Sequence, residues 1–202
     1  MIEILAATTN RGKVREIEKL FTPSLIQVKL YFLPDFNIMV DCPEAGETFL
    51  ENAAAKSLFY GKFVPHLYTV GDDSGLVVEA LDGGPGIYSS RYSGPDATDE
   101  KNIVKLLEQL KGIENRKAKF VTAVCLSRNG QIIKTFTGEV EGIIIDEKRG
   151  SGGFGYDPVF FYPPLKKTFA QLSTEEKNRI SHRARAFQKL KDFLESSKEF
   201  SF

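Results

Sequence analysis

An Asn-Gly pair between two β-rich segments restricts the fold of this chain more than any other feature of its sequence. The pair is Asn129-Gly130, and the segments are residues 120–127 and 132–140. A two-residue Asn-Gly connection is typical of a tight hairpin, because both positions accept the positive φ angles that such a turn requires. The pattern therefore predicts a β-hairpin in the second half of the chain.

Further strands and helices are predicted from the spacing of apolar residues and from helix caps. Thr48 and Glu51 have the spacing of a capping box, so a helix should begin there and run to about residue 63. Thr98 can cap another helix. The remaining predicted segments are strands at 2–7, 26–33, 67–71 and 76–79, and helical patterns over 14–21 before Pro23, 103–110 and 184–193.

The composition is that of a protein with a sizeable hydrophobic core. Of 202 residues, 42% are hydrophobic and 11% aromatic, which is enough for one domain or two closely packed lobes. Two cysteines, Cys42 and Cys125, are too few for a disulfide framework or a zinc ribbon, which indicates a reducing compartment. The first residues lack a signal-peptide pattern and no apolar run is long enough to span a bilayer, so we expect a cytoplasmic protein without a membrane partner.

The charge balance argues against a nucleic-acid partner. Lys plus Arg and Asp plus Glu each number 27, so the chain has no basic excess to neutralise a phosphate backbone. We therefore expect that any polyanion bound by this protein is a small molecule.

Two adjacent carboxylates, Asp72 and Asp73, lie between the strand-like segments 67–71 and 76–79. Consecutive residues of an extended chain point to opposite faces, so only one of the two can easily face a cleft. Together with the following Ser74-Gly75, the same residues also suit a simple turn. On this segment alone both interpretations stay open.

The polar segment Thr8-Thr9-Asn10-Arg11-Gly12-Lys13 joins the first predicted strand to the first predicted helix. Its backbone amides and the Lys13 ammonium can converge on an anion at a helix amino terminus. The alternative is an ordinary polar loop in which Asn10 caps the helix. A Walker A loop is excluded, because Val14 stands where that motif needs a Ser or Thr to bind Mg²⁺.

A glycine-rich segment, residues 150–155, matches the G-x-G-x-x-G spacing of dinucleotide-binding loops. That motif functions only when a helix begins directly after it. Pro158, Pro163 and Pro164 forbid such a helix here, so we reject the dinucleotide interpretation. The glycines instead predict a loop whose backbone approaches a flat group.

Charged residues elsewhere also have ordinary structural interpretations. Glu44 and Glu47 precede the helix that Thr48 caps, and Lys56 lies on that helix, where charges commonly cover a solvated face. Near the carboxyl end, a group of positive side chains surrounds one of the two histidines and also suits a basic helix end. That group is Lys177, Arg179, His182, Arg183 and Arg185.

Taken together, six segments of the chain resemble the inosine triphosphate pyrophosphatases, a family that hydrolyses non-standard purine nucleoside triphosphates. The segments follow the order of the family and span nearly the whole chain. They are Ala7-Thr8-Thr9-Asn10-Arg11-Gly12-Lys13, Thr48-Phe49-Leu50-Glu51-Asn52-Ala53, Asp72-Asp73-Ser74-Gly75-Leu76, Pro85-Gly86-Ile87-Tyr88-Ser89-Ser90-Arg91-Tyr92-Ser93-Gly94, Gly153-Phe154-Gly155-Tyr156-Asp157-Pro158 and Glu176-Lys177-Asn178-Arg179-Ile180-Ser181-His182-Arg183.

The resemblance implies an α/β fold in which two lobes flank an elongated, twisted mixed β-sheet with a central nucleotide-binding cleft. Residues 1–202 would then form a single domain, usually assembled as a homodimer. The implied activity is hydrolysis of ITP, dITP and XTP to the monophosphate and pyrophosphate, with Mg²⁺ as cofactor. Such an enzyme removes these nucleotides before they are incorporated into DNA and RNA.

The resemblance also implies a role for each matching residue. Asp73 would be the catalytic carboxylate, and Glu44 and Asp73 would hold Mg²⁺, with Glu47 as the competitor of Glu44. The residues implied to bind the triphosphate are Thr8, Thr9, Asn10, Arg11, Gly12, Lys13, Lys56 and Ser74. Those implied to bind the base and sugar are Phe154, Gly155, Tyr156, Asp157, Lys177, His182 and Arg183.

These roles lead to a hypothesis about the reaction and the choice of base. Asp73 would orient or deprotonate the attacking water, and the sequence leaves the two roles open. His182 and Arg183 are donors that suit the 6-oxo group of ITP and XTP, whereas the amino group of ATP would leave them unpaired. Phe154 or Tyr156 would stack on the base, although an aromatic side chain in such a loop also serves to fill a core.

One helix should be interrupted for these roles to be compatible. Lys177 and His182 are five residues apart, so on a continuous helix their side chains diverge. We therefore predict a break near Ile180-Ser181, with Ser181 as the N-cap of the last helix.

Two other functions fit the same residues. One is a phosphohydrolase that acts on modified pyrimidine or methylated nucleotides, and the other is a nucleotide sensor that binds without turnover. Acids suited to Mg²⁺ beside the Lys13 segment disfavour the sensor, because binding alone would gain little from Asp73.

Overall fold

The structure of the protein is a computed structural model that describes residues 1–21 and 27–197. Its strands are Ile2–Ala6 (β1), Val28–Phe32 (β2), Tyr68–Val78 (β3), Lys117–Arg128 (β4), Gln131–Ile144 (β5), Phe160–Tyr162 (β6) and Lys167–Thr168 (β7). Its α-helices are Arg11–Phe21 (α1), Phe49–Gly61 (α2), Asp99–Gln109 (α3), Thr174–Ile180 (α4) and His182–Ser196 (α5). The expected strand residue Ile26 and the expected helix stop Pro23 lie outside the described residues.

The strands form a mixed sheet in the order β2-β1-β3-β4-β5-β6-β7. Strand β1 runs parallel to both of its neighbours, and Ile4 pairs with Leu30 on β2 and with Tyr68 on β3. Strand β6 is antiparallel to β5 and β7. A mixed sheet combined with helices confirms the α/β class implied by the resemblance.

The predicted hairpin is confirmed. Strands β4 and β5 are neighbours in the sheet, and two residues connect them. Asn129 has a φ of 49° and Gly130 a φ of 73°, as a tight turn between twisted strands requires. Both strands are longer than predicted and begin or end outside the apolar segments that indicated them.

The predicted helix caps are confirmed as well. The Thr48 side chain accepts a hydrogen bond from the backbone of Glu51 in a complete capping box at the start of α2. At the start of α3, the Thr98 side chain accepts a hydrogen bond from the backbone amide of Lys101. Helix α1 begins at Arg11, earlier than its apolar spacing indicated, so part of the polar 8–13 segment lies in its first turn.

The break in the last helical segment is also confirmed. Helix α4 ends at Ile180, and Ser181 has φ −66° and ψ 156°, an extended conformation that interrupts the helix. Helix α5 begins at the next residue, His182. That the Ser181 side chain caps α5 stays a prediction.

The prediction of two short strands around Asp72-Asp73 is wrong. Strand β3 continues from Tyr68 to Val78 through both aspartates, so they do not form a turn. Asp72 and Asp73 are only 2% and 6% exposed. A buried strand tolerates these charges because each carboxylate has a lysine partner from a distant part of the chain, which local spacing does not reveal.

The glycine-rich segment forms turns, and strand β6 follows it within the described chain. Because the segment leads into a strand, rejection of the dinucleotide motif is confirmed.

The described residues divide into two compact units. The first comprises Met1–Asp73, Thr122–Gly138 and Arg183–Phe202, within which the described parts bury a core around β1, β4, α1 and α5. Ile4, Val124 and Phe187 are typical members of that core and are at most 1% exposed.

The second unit comprises Ser74–Val121 and Glu139–His182. Its core joins one side of α3 to aromatic residues from β4, β6 and the segment after β7. Phe120, Phe160 and Phe169 pack against one another there, with ring centroids 4.4 to 5.7 Å apart. In the described part of the chain, no helix has the length and apolar character needed to cross a membrane.

Candidate functional site

In the first unit, Asp72 is the acceptor for two cations. Its Oδ2 lies 2.8 Å from Nζ of Lys13, which projects from the first turn of α1, and 3.6 Å from Nε of Arg183 on α5. Burial would raise the pKa of Asp72, but Lys13 and Arg183 outweigh it and lower that pKa to about 2. Arg183 also forms a buried ion pair with Glu16, so this side of β3 carries a network of alternating charges.

Asp73 contacts a different set of residues. Its Oδ1 lies 3.0 Å from Nζ of Lys56 on α2, and its Oδ2 accepts a hydrogen bond of 3.3 Å from Nδ2 of Asn52. Burial raises the pKa of Asp73 above its usual value, although Lys56 and Lys13 oppose the shift. The opposite shifts of two adjacent carboxyls follow from their different neighbours.

Lys56 joins Glu44 to Asp73. Its ammonium lies 2.7 Å from Oε1 of Glu44 and 3.0 Å from Oδ1 of Asp73, so the two carboxylates already share one cation. Burial lowers the pKa of Lys56, but Asp73 and Glu44 outweigh that effect and raise it above its usual value. Glu47 is exposed, and it is its backbone amide that donates to Glu51. This geometry favours Glu44 over Glu47 as the partner of Asp73.

The paired carboxylates fit the chemistry of Mg²⁺. The described residues contain no group of three or more His, Cys, Asp or Glu side chains that could enclose a metal ion. Mg²⁺ does not need such a group, because it commonly binds through one or two carboxylates together with water and substrate phosphates. Glu44 and Asp73 would supply two oxygen ligands of this kind.

The polar 8–13 segment begins with a buried Thr8 and caps helix α1. The Thr8 hydroxyl accepts a hydrogen bond of 3.2 Å from the backbone amide of Asn10. Oδ1 of Asn10 in turn accepts from the backbone amides of Gly12 and Lys13 at 2.9 and 3.1 Å. The capping interpretation of Asn10 is therefore confirmed. These three amides have local acceptors, so the segment offers an anion the cationic side chains of Arg11 and Lys13.

Thr9 and Arg11 of that segment and Ser74 outside it were also expected to bind the triphosphate. Thr9 and Arg11 are exposed. Ser74 is half-buried on β3 and belongs to the second unit.

In the second unit, Lys177 and Asp157 form a buried ion pair. Lys177 Nζ lies 2.6 Å from Oδ2 of Asp157, which also accepts from the amide of Phe154 at 3.0 Å. The same ammonium lies 4.8 Å from the ring centroid of Phe154 and 5.7 Å from that of Phe169, within reach of cation–π attraction. This group combines one charge pair with aromatic surface.

Gly153 leaves the space that Asp157 occupies. Its φ is 72°, in the left-handed region that favours glycine. A Cβ atom at this position would lie 2.0 Å from Oδ2 of Asp157. The glycine is therefore needed for the carboxylate to reach both Lys177 and the amide of Phe154.

The two aromatic candidates for base stacking differ in their surroundings. Tyr156 is 4% exposed and belongs to the hydrophobic core, and its hydroxyl donates to the carbonyl of Ser89 at 2.8 Å. Phe154 is half-buried. The structure thus gives Tyr156 the core-filling role and leaves Phe154 as the stacking candidate. Gly155, between them, donates its amide to Oδ2 of Asp99 at 2.7 Å.

His182 and Arg183, the two expected base donors, lie in different units. His182 belongs to the second unit, where it stacks on Phe120 with centroids 4.8 Å apart and an interplanar angle of 17°. Arg183 belongs to the first unit, where Asp72 and Glu16 engage its guanidinium. That both residues donate to the base stays a prediction, and the structure shows that each has its own partners within its unit.

Sequence reasoning gave no role to three residues of the first unit: Asp72, Glu16 and Asn52. Asn52 precedes Lys56 by four residues on α2, and Glu16 follows Lys13 by three on α1, so helical spacing could have placed each beside its neighbour. Asp72 was seen but received no role, because its partner lysine is far away in the sequence.

Comparison with known proteins adds independent information. The family model described as the Ham1 family matches residues 4–193. A dITP/XTP pyrophosphatase of Geobacter sulfurreducens is 45% identical over 96% of this chain and 97% of its own. A HAM1 protein of Coxiella burnetii is similar in structure, with a TM-score of 0.88, 38% identity and coverage of 98% of this chain and 100% of its own.

A second solved structure agrees. The Ham1 protein of Staphylococcus aureus has a TM-score of 0.85 and 43% identity, over 97% of this chain and 100% of its own. The resemblance found from the six sequence segments is thereby confirmed, and the chain belongs to the Ham1 family.

Proposed function

We propose that this protein hydrolyses ITP, dITP and XTP to the nucleoside monophosphate and pyrophosphate in a Mg²⁺-dependent reaction. The observation that carries the proposal is the position of the Lys56 ammonium between the carboxylates of Glu44 and Asp73. Relatives at 44% and 45% identity have the name dITP/XTP pyrophosphatase, which supports the same substrate class here.

The first unit supplies groups for phosphate chemistry. Lys13 and Lys56 bind phosphate oxygens as point charges when a triphosphate displaces their present carboxylate contacts. Mg²⁺ held by Glu44 and Asp73 would neutralise charge that develops on the phosphates. Until a triphosphate binds, Asp72 keeps Lys13 in place through the 2.8 Å ion pair.

Asp73 serves as the acceptor of the proton from the attacking water. A new bond forms between the water oxygen and the α-phosphorus, the bond from that phosphorus to the bridging oxygen breaks, and pyrophosphate leaves. Asn52 holds the second carboxylate oxygen and fixes the direction of the first.

The second unit supplies groups for the base. Phe154 offers a half-buried ring for stacking, and Lys177 is a buried cation above that ring. Lys177 and His182 are the donors for the 6-oxo group of ITP and XTP, and a donor opposite the amino group of ATP would go unpaired. Arg183 is assigned to the phosphate side, on the basis of its contact with Asp72.

The test is pyrophosphate release from ITP, XTP, GTP, ATP and dTTP, with Mg²⁺ and then with EDTA. We expect rapid turnover of ITP and XTP that EDTA abolishes. Asp73→Asn should lower the rate by about 10²–10⁴-fold, because it removes the proton acceptor. Preferential turnover of dTTP would replace this proposal with the pyrimidine phosphohydrolase, and binding of ITP without pyrophosphate release would replace it with the sensor.

The homodimer, the cytoplasmic location and the exclusion of nucleic acid as a partner stay predictions. The dimer can be measured by light scattering of the purified protein.

A further inference from the structure

Asn52 connects two parts of the first unit through its side-chain amide. The residue is completely buried on the first turns of α2. Its Oδ1 accepts a hydrogen bond of 2.9 Å from the backbone amide of Gly46, and its Nδ2 donates to Oδ2 of Asp73 at 3.3 Å. One planar group thus joins the segment before α2 to the central strand β3.

The two partners fix the orientation of this amide. The Gly46 N–H is a donor and requires the amide oxygen, whereas the Asp73 carboxylate is an acceptor and requires the amide nitrogen. Gly46 also packs closely, since a Cβ there would lie 2.8 Å from Oδ1 of Asn52. A side chain with only donors or only acceptors could not serve both neighbours.

The segment that Asn52 holds carries Glu44, two residues before Gly46. Glu44 and Asp73 meet at the Lys56 ammonium, 2.7 and 3.0 Å away. The Asn52 amide therefore spans the same two chain segments as Lys56, but it does so from the buried side and without a charge of its own.

We propose that Asn52 is a positioning residue that sets the separation of the Glu44 and Asp73 carboxylates and thereby the affinity of the site for a divalent cation. This inference rests on the proposed function, in which these two carboxylates hold the metal. Residues that orient metal ligands through hydrogen bonds typically change metal affinity or activity by about 10–100-fold when they are replaced.

The chain offers a matched control in Asn102. Asn102 is 3% exposed and follows the capping residue Thr98 of α3 by four residues, as Asn52 follows Thr48 of α2. Its Oδ1 likewise accepts from a backbone amide of a preceding segment, that of Ser93 at 2.8 Å. Its amide nitrogen, however, donates to backbone carbonyls and not to a carboxylate.

The experiment compares Asn52→Leu with Asn102→Leu in the full chain. Binding of Mn²⁺, used as a paramagnetic probe for the divalent site, is measured by electron paramagnetic resonance without nucleotide, and kcat, KM and the melting temperature are measured in parallel. Asn52→Ala replaces the Leu variant if that variant does not fold, because it leaves room for water at both polar partners.

We expect both Leu variants to lower the melting temperature. Only the change at Asn52 should weaken Mn²⁺ binding and lower kcat, each by about 10–100-fold, with KM for ITP within a few fold of wild type. If the Asn52 variant has a lower melting temperature but binds Mn²⁺ and turns over ITP as wild type does, Asn52 has a structural role alone. That result would overturn the inference. If the wild-type chain releases no pyrophosphate, the proposed function fails, and the Mn²⁺ affinities still decide the role of Asn52.

Discussion

Two Lys–Asp pairs, one in each unit, are nearly identical in distance and differ in what surrounds them. Lys13 and Asp72 are 2.8 Å apart, and Lys177 and Asp157 are 2.6 Å apart. The first pair adjoins further charges, including Arg183, whereas the second is bordered by the rings of Phe154 and Phe169. In the proposed function, its charged surroundings would place the first pair at the phosphates of the substrate, and its aromatic surroundings would place the second pair at the base.

The largest expected difference concerns stability. Lys177→Met leaves Asp157 buried without its cation, and we expect it to lower the free energy of unfolding by about 3–5 kcal/mol. Lys13→Met is the matched variant and should cost less, because Arg183 remains 3.6 Å from Asp72. Urea unfolding of both variants measures the two values. Equal losses of unfolding free energy in the two variants would show that Arg183 does not compensate Asp72 for the loss of Lys13. The two pairs would then not differ in this respect.

The next effect separates the two acidic residues before α2. Glu44→Gln removes one of the two carboxylates at Lys56, so the Mg²⁺ concentration for half-maximal activity should rise by up to about 100-fold. Glu47→Gln is the control, since Glu47 is exposed, and it should leave the Mg²⁺ requirement unchanged. Magnesium titrations of the initial rate distinguish them. A larger effect at Glu47 would exchange the roles of the two residues.

The smallest effect is a dependence of stability on acid pH. The pKa of Asp72 is about 2 in the folded chain and 3.8 in the reference state. Because the folded value is depressed, Asp72 stabilises the fold above pH 3.8, by about 2 kcal/mol, and this contribution disappears as the pH falls toward 2.

Asp72→Asn should reduce the fall in the free energy of unfolding between pH 3.8 and pH 2. Asp73→Asn should not, because the pKa of Asp73 is shifted upward and its charge is unfavourable in the fold at neutral pH. Unfolding measured from pH 5 to pH 2 tests the pair of variants. The same acid dependence in wild type and Asp72→Asn would contradict the assignment.

What could be predicted from sequence was local. The Asn129-Gly130 turn, the Thr48 and Thr98 caps and the break at Ser181 each depend on residues within a few positions of one another, and each is confirmed. Asp72-Asp73 was misjudged as the end of a strand because its stability there depends on Lys13 and Lys56, which are 59 and 17 residues away from their carboxylate partners.

The same limit applies to the candidate site. Family resemblance supplied Glu44, Asp73 and Lys177, but it did not show that Arg183 contacts Asp72 or that Tyr156 fills a core. A motif names residues without the direction of their side chains, and that direction follows from helix and strand geometry over the whole fold.

The continuous course of β3 has a consequence for how this chain can change in evolution. Asp72 and Asp73 differ in their surroundings only because successive residues of a strand alternate between its faces. Inserting or deleting one residue ahead of them within the strand would turn each carboxylate to the opposite face of the sheet and separate it from its present lysine partner. A substitution within β3 leaves the direction of the neighbouring side chains unchanged, whereas an insertion or deletion does not. We therefore expect differences in length among relatives to be confined to the connections outside β3.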